Sequence, residues 1–316
     1  MSFTIDSFKK EGLSFLKLQN NTTEEYVEVI PSLGGMVFQI CLHAEGKNKE
    51  ILREDSLDQL KENPLFRGRM LFPFNDRIEK ATYVYQGTPY TLKSNCEEDG
   101  SAIHGFLYNQ SLKVTSTKSD SDQAILELFF SSSSNEFAGY PFSIELTIKY
   151  ILSHKGLRIE WDISNQSSQS IPMALGWHPY FKLGDSIKEA TLVIPGNKYI
   201  EVDESLMPTG NKVPCQNSAF DFRQGRQIGK QDLDIAFTAP AQGASQLKKN
   251  ETIIELSQDP IYFKYVQVYV PDSKDSIAIE PITSPTDAFN RPHLGLIEME
   301  PHQKINTWAE VTLKKV

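Results

Sequence analysis

The sequence predicts an all-β protein, a mostly antiparallel sandwich with little helix, and three observations predict it. Apolar and polar residues alternate with period 2 over long stretches, helix signals are few, and the connections are short and rich in Gly, Pro, Asn and Ser. Many short strands without helices between them mean a sandwich or a barrel, not a βαβ fold.

Taken in order, the first local signal is a helix. Asp55 and Ser56 can cap a short one through Leu57 and Leu60, with Pro64 as its stop. Tyr83-Val84-Tyr85 and Tyr90-Thr91-Leu92 flank Gln86-Gly87-Thr88-Pro89, a hairpin. The clearest pair follows. Phe142, Ile144, Leu146, Ile148 and Tyr150 alternate with polar residues, and after His154-Lys155-Gly156 the alternation resumes at Leu157, Ile159, Trp161 and Ile163. Period 2 on both sides of a Gly-containing turn is a hairpin with one buried face. Residues 264–270, 276–279 and 308–316 read as further strands. The serine-rich runs 131–134 and 164–170 are short enough for hairpin loops. With no repeat and no linker, the 316 residues are read as one domain.

Composition narrows the partners. A hydrophobic fraction of 39% with 23% charged residues is that of an ordinary globular protein with a sizeable core. The net charge of −9 without a basic stripe weighs against nucleic acid and anionic membrane surfaces. Cys41, Cys96 and Cys215 are far apart and form no CxxC pair, so neither a disulfide framework nor a cysteine zinc site is expected, and a reduced cytoplasm fits. The first residues contain no apolar signal segment, and no stretch approaches the ~18 apolar residues of a membrane span.

Five stretches carry residues capable of chemistry. Ala174-Leu175-Gly176-Trp177-His178-Pro179-Tyr180-Phe181 sets a titratable ring among flat apolar faces. Such faces suit the C–H side of a sugar, and an imidazole moves protons near neutral pH. Pro179 places His178 at a strand end or an edge. A satisfied histidine in an aromatic cluster is the plain alternative. Residues 67–78 hold Arg67, Arg69 and Arg77 among aromatics; Arg67 and Arg69 are read as surface salt bridges. In Ile103-His104-Gly105, the glycine lets a backbone or a ligand come close. Asp234 lies in an apolar run, where an ionised side chain needs a partner. Glu280 ends an apolar strand before Pro281, which is expected to stop the ladder. A carboxylate there is either exposed or partly desolvated, and desolvation raises its pKa toward the range of a general base.

The order of these stretches carries more than any one of them. Asp-Arg-Ile (76–78), His-Gly (104–105), His-Pro-Tyr-Phe (178–181), Asp-x-x-Phe (234–237) and Glu-Pro-x-Thr (280–283) with Asp-Ala-Phe-Asn (287–290) resemble the aldose 1-epimerases, the galactose mutarotase-like proteins. The resemblance runs from about Gly34 to the last strand. It implies a large antiparallel β-sandwich, interconversion of α and β anomers of a free hexose, and no cofactor or metal. It also implies Glu280 as base, His178 as acid, and Arg77, His104 and Asp234 as ligands of the sugar hydroxyls. Three places depart from the family pattern: Asp76 precedes Arg77 where Asn is usual, Lys80 stands where glycine is common, and Trp177-His178-Pro179 stands where galactose-specific members carry a His-His pair before the Tyr-Phe.

Three other readings stay open at this point. His104, His178 and Glu280 could form a His₂Glu metal site, although their spacing matches no metal motif. Arg67 or Arg69 could clamp a phosphate, which would make the substrate a hexose 6-phosphate. The chain could also bind carbohydrate without turning it over. Either a monomer or a homodimer is compatible with the sequence.

Overall fold

The computed structural model describes residues 2–315 except positions 45, 135, 240 and 241. Three sheets dominate it. A five-stranded meander is formed by Phe3–Lys10, Leu13–Asn20, Tyr26–Ile30, Met36–Ala44 and Lys47–Glu50. A nine-stranded sheet runs Lys113–Ser119, Gln123–Ser132, Ile144–Ser153, Gly156–Asn165, Lys304–Lys315, Thr252–Gln258, Ser245–Lys249, Thr191–Val193 and Arg226–Gln227. An eight-stranded sheet contains Pro208–Pro214, Lys198–Val202, Asp234–Thr238, Tyr265–Tyr269, Ile277–Ile282, Gly176–Trp177 and Met70–Leu71 in that order, with Tyr180–Phe181 also pairing Ile277–Ile282. These strands pair antiparallel, as the alternation predicts.

Burial follows the period. Ile144, Leu146, Ile148, Tyr150 and Leu152 are fully buried while their odd-numbered neighbours are half-exposed. One hydrophobic cluster joins them to Val27 and Val37 of the first sheet and to Val266, Val268, Ile277 and Ile279 of the eight-stranded sheet. The sandwich core lies between these layers.

The hairpin expected from 83–85 and 90–92 pairs Thr82–Tyr85 with Thr88–Thr91, so Thr88 and Pro89 belong to the second strand. The chain turns on Gln86 and Gly87, both with positive φ, as a two-residue hairpin turn requires. The expected helix shrinks to Gln59–Glu62, ended by a left-handed Asn63 before Pro64. The serine run 131–134 is half strand, since Gln123–Ser132 reaches into it. The last expected strand is Lys304–Lys315; Val316 lies outside the described residues.

Pro281 does not end the ladder. The strand continues to Ile282, with Pro281 opposite Val266 and Ile282 opposite Tyr265. The N–H groups of Ile279 and Thr283 both point toward the 175–181 segment, at the carbonyls of Pro179 and Leu175. By period 2, the missing N–H of Pro281 falls on that same side. Pairing with Tyr265–Tyr269 therefore loses nothing, and Glu280 sits inside the sheet rather than at its end.

Candidate active site

The eight-stranded sheet has two unlike faces. Val266, Val268, Ile277 and Ile279 point into the core, so the residues between them point the other way. That second face carries Asp234 and Ala236, Gln267 and Tyr269, and Glu280. It floors a cavity of about 860 Å³ whose walls include Asp76, Arg77, His104, His178 and Tyr180. Register sets the spacing, for Gln267 lies opposite Glu280, and Asp234 lies opposite Tyr269 on the next strand.

His178 enters between two short bridging strands, as the proline predicts. Its N–H donates to the Arg69 carbonyl (3.0 Å) and its carbonyl accepts from the Gly68 N–H (2.8 Å). Its Nε2 stands 3.6 Å from Glu280 Oε1. His178 is 6% exposed and Glu280 3%, so both charged forms lose most of their water. Desolvation, reinforced by Asp76 and Asp234, raises the Glu280 pKa well above the usual carboxylate range. Desolvation, reinforced by His104 and Arg67, lowers that of His178 well below the usual imidazole value.

His104 adopts a left-handed φ of 65°, and its Nδ1 lies 2.9 Å from the Asn75 carbonyl. A carbonyl can only accept, so Nδ1 carries the proton and a neutral ring keeps Nε2 as an acceptor. Burial lowers its pKa and favours that neutral form. Gly105 must be glycine, because an added Cβ would stand 2.1 Å from the Phe72 carbonyl oxygen. The approach expected of this glycine is thus made by backbone.

Asp234 is exposed, but into the cavity rather than to bulk solvent. Its Oδ1 accepts from Gln267 Nε2 at 2.7 Å, and burial together with Asp76 pushes its pKa up to about 6. Arg77 donates from Nη1 to Asp99 (2.7 Å) while lining the same cavity. Asp76 accepts from the Thr286 hydroxyl (2.8 Å) and from the Arg77 N–H (2.6 Å).

The model of the aldose 1-epimerase family matches residues 16–312. The chain belongs to that family. Among its relatives, human galactose mutarotase is 30% identical over 182 residues, 56% of this chain and 50% of that protein, so the match spans half the length of the human enzyme. YihR, an uncharacterized protein of Escherichia coli, is 29% identical over 71% of each chain. A galactose mutarotase-like protein from Clostridium acetobutylicum superposes with a TM-score of 0.87 at 20% identity, covering 100% of this chain and 99% of that one. At these identities the structural likeness shows the fold.

Within this aldose 1-epimerase family member, all five residues singled out from the sequence (Glu280, His178, Arg77, His104 and Asp234) line one cavity. Other expectations are corrected. Trp177 and Phe181 are wholly buried in the core; of the three aromatics around His178, only Tyr180 lines the cavity. Alternation explains it. Tyr180 pairs with Ala278 and faces the cavity, whereas Phe181 pairs with Ile277 and faces the core.

Arg69 is not a surface salt bridge but a buried strut, 1% exposed, donating to the carbonyls of Leu33, Leu60 and Tyr108. Arg67 does pair with a carboxylate, Asp55 at 2.5 Å, but the pair is largely buried. Lys80 has φ 52°, which accounts for glycine at this position, and its side chain is 78% exposed away from the cavity. Among the described residues no group of three or more His, Cys, Asp or Glu is arranged to hold a metal ion.

Sequence reading missed Gln267, Tyr269 and Phe66. The first two could have been found, since Gln267 is the polar residue of the alternating run Tyr265-Val266-Gln267-Val268-Tyr269. Phe66 sits in a loop with φ 51°, edge-on to His104 at 4.5 Å, and no periodicity points to it.

One prediction arises from Arg77. Its guanidinium is fixed by Asp99, so its remaining donors are pre-aimed. Arg77→Lys removes the fork, and we expect KM for the preferred sugar to rise roughly tenfold with kcat changed less. Initial-rate polarimetry on both proteins checks this; an unchanged KM would take Arg77 out of the site.

Proposed function

We propose that the protein interconverts the α and β anomers of a free hexose, with Glu280 and His178 as the proton-transfer pair and Arg77, His104 and Asp234 at the sugar hydroxyls. The observation that carries this reading is the buried Glu280–His178 pair, 3.6 Å apart in a cavity open to solvent.

Ring opening needs the C1 hydroxyl to lose a proton and the ring oxygen to gain one. The carboxylate of Glu280 takes the first, and the imidazolium of His178 supplies the second. The aldehyde turns about C1–C2, and closure on the other face returns both protons. The pair holds one proton throughout. Burial favours the tautomer with that proton on the carboxyl, which is the form left after ring opening. The ion-pair tautomer is the one that attacks the closed ring, and moving one proton between the two groups interconverts them.

Charge supports a neutral sugar over its 6-phosphate. Glu62, Asp76, Glu97, Glu98, Asp234 and Glu280 line the cavity against Arg69 and Arg77. Arg69 donates to backbone carbonyls, Arg77 to Asp99, and neighbouring Arg67 to Asp55. A phosphate would meet more carboxylates than guanidinium groups in this lining, and each of the three arginines already donates to a protein oxygen.

The test is anomer exchange on freshly dissolved α-D-glucose, α-D-galactose and their 6-phosphates, followed by polarimetry. We expect at least one free hexose to be accelerated, with kcat/KM on the order of tenfold or more above its 6-phosphate. A preference for the phosphate would overturn the substrate class, and no acceleration of any of the four would overturn the activity.

A further inference from the structure

We propose that Arg67, through Tyr180, is a positioning residue for His178: it holds the imidazole in the plane and charge environment from which a proton is given up. The proposal rests on the proton-transfer reading of His178 above.

Four observations meet at this point. First, the segment that carries Arg67 is tied to His178 on both sides of its backbone, through the Gly68 N–H and the Arg69 carbonyl. Gly68 allows this, because an added Cβ would fall 2.1 Å from the Val37 carbonyl oxygen. Second, the His178 ring stacks on Tyr180 with centroids 5.0 Å apart and planes 8° from parallel. Third, the Arg67 guanidinium lies over the same tyrosine ring, 5.1 Å from its centroid. Fourth, Arg67 is anchored from behind by Asp55, whose side chain is only 2% exposed. The anchor fixes the cation, the cation holds the phenol ring, and the ring fixes the plane of the imidazole.

Such a chain does two things for an acid. A stacked ring with few orientations keeps Nε2 aimed at one place, which is worth rate when the acceptor is a ring oxygen. A fixed positive charge nearby disfavours the imidazolium and so makes it a stronger acid once formed. The groups facing His178 are Glu280 from the sheet, His104 at 5.2 Å between ring centroids, Tyr180 from its own segment, and Arg67. Glu280 favours the charged ring; burial, His104 and Arg67 oppose it. Arg67 is the one guanidinium in this set, and a guanidinium is a cation without an acceptor.

The test uses the full chain and two variants. Arg67→Met combined with Asp55→Asn removes the cation without leaving an unpaired buried carboxylate. Arg67→Lys keeps the charge but not the flat group over Tyr180. Proteins labelled with ¹⁵N-histidine are titrated by NMR, with His178→Asn assigning the His178 signals. In the double variant we expect the His178 titration to move up by about one pH unit. For the preferred hexose, kcat should fall by roughly tenfold, with KM changed less than about threefold. Arg67→Lys should titrate close to wild type and still lose kcat.

An unmoved His178 titration in the double variant would overturn the proposal. So would a rise in KM at constant kcat, which would make Arg67 a binding residue. If neither variant folds, as judged by circular dichroism, Arg67 is a structural strut and the proposal also falls. The titration needs no sugar. A wild-type protein that exchanges no anomers would therefore end the mutarotase reading while the hold of Arg67 on His178 is still decided by NMR.

Discussion

Replacing Glu280 by Gln is expected to lower kcat for anomer exchange by roughly 10²–10⁴-fold while changing sugar binding far less. Gln is nearly the same size and keeps one acceptor oxygen. The site loses proton transfer, not shape. Glu280 sits within a strand, opposite Gln267, with ladder pairing on both sides, so the substitution should not disturb the fold. The hydroxyl on C1 of a hemiacetal is a weak acid and needs a carboxylate in reach to leave it.

The pH profile gives an independent check. The wild-type rate should be bell-shaped. On the acid side the Glu280–His178 pair gains a second proton, and a protonated carboxyl cannot act as base. On the alkaline side it loses the only one, and His178 has nothing to give. Burial raises Glu280 and lowers His178, which moves their individual values toward each other. The limbs therefore belong to the pair. Steady-state polarimetry on wild type and Glu280→Gln decides the matter. A variant that equilibrates anomers at a comparable rate would free Glu280 of the role and move suspicion to Asp234, whose pKa of about 6 also suits a base. Sugar binding without any turnover in the wild type would make the cavity a carbohydrate receptor.

The second large effect is expected at His178. His178→Asn keeps a polar side chain but cannot donate and recover a proton near neutrality, and kcat should fall by about 10²-fold or more. The backbone bonds to Gly68 and Arg69 do not depend on the side chain, so the segment should stay in place. The lost stacking on Tyr180 should cost about 0.5–1.5 kcal/mol of stability. Circular dichroism separates that loss from unfolding. Near wild-type turnover would reduce His178 to a packing residue.

How much of this was legible in the sequence depends on which physical signal each part leaves. The strands were legible because a half-buried strand must alternate, and residues 142–150 and 157–163 alternate on either side of a turn. The five polar residues that line the cavity were legible because each is a costly group in an apolar or aromatic setting. The platform was misjudged around His178, where the aromatics were treated as a group although Trp177 and Phe181 occupy the odd, core-facing positions. Period 2 carried the correction. Arg69 was misjudged for another reason. Its partners are the Asn63 side chain and three backbone carbonyls from separate segments, and no spacing rule reports where those segments come together. The continuation of the Glu280 strand past Pro281 depends on which side the missing N–H faces, and that is set by register alone.

The strand Lys304–Lys315 lies in the middle of the nine-stranded sheet, between Gly156–Asn165 and Thr252–Gln258. During synthesis, residues 113–165 can form a meander early, but its Gly156–Asn165 edge stays open until residue 304 and those after it have left the ribosome. At about 5–20 residues per second, that wait is on the order of ten seconds. Through it, Leu157, Ile159, Trp161 and Ile163 have an uncovered flank beside unpaired backbone. The same edge carries Arg158, Glu160 and Asp162 on its other face. Their charges oppose pairing with a second nascent chain, which gives these residues a task that ends once the sheet closes.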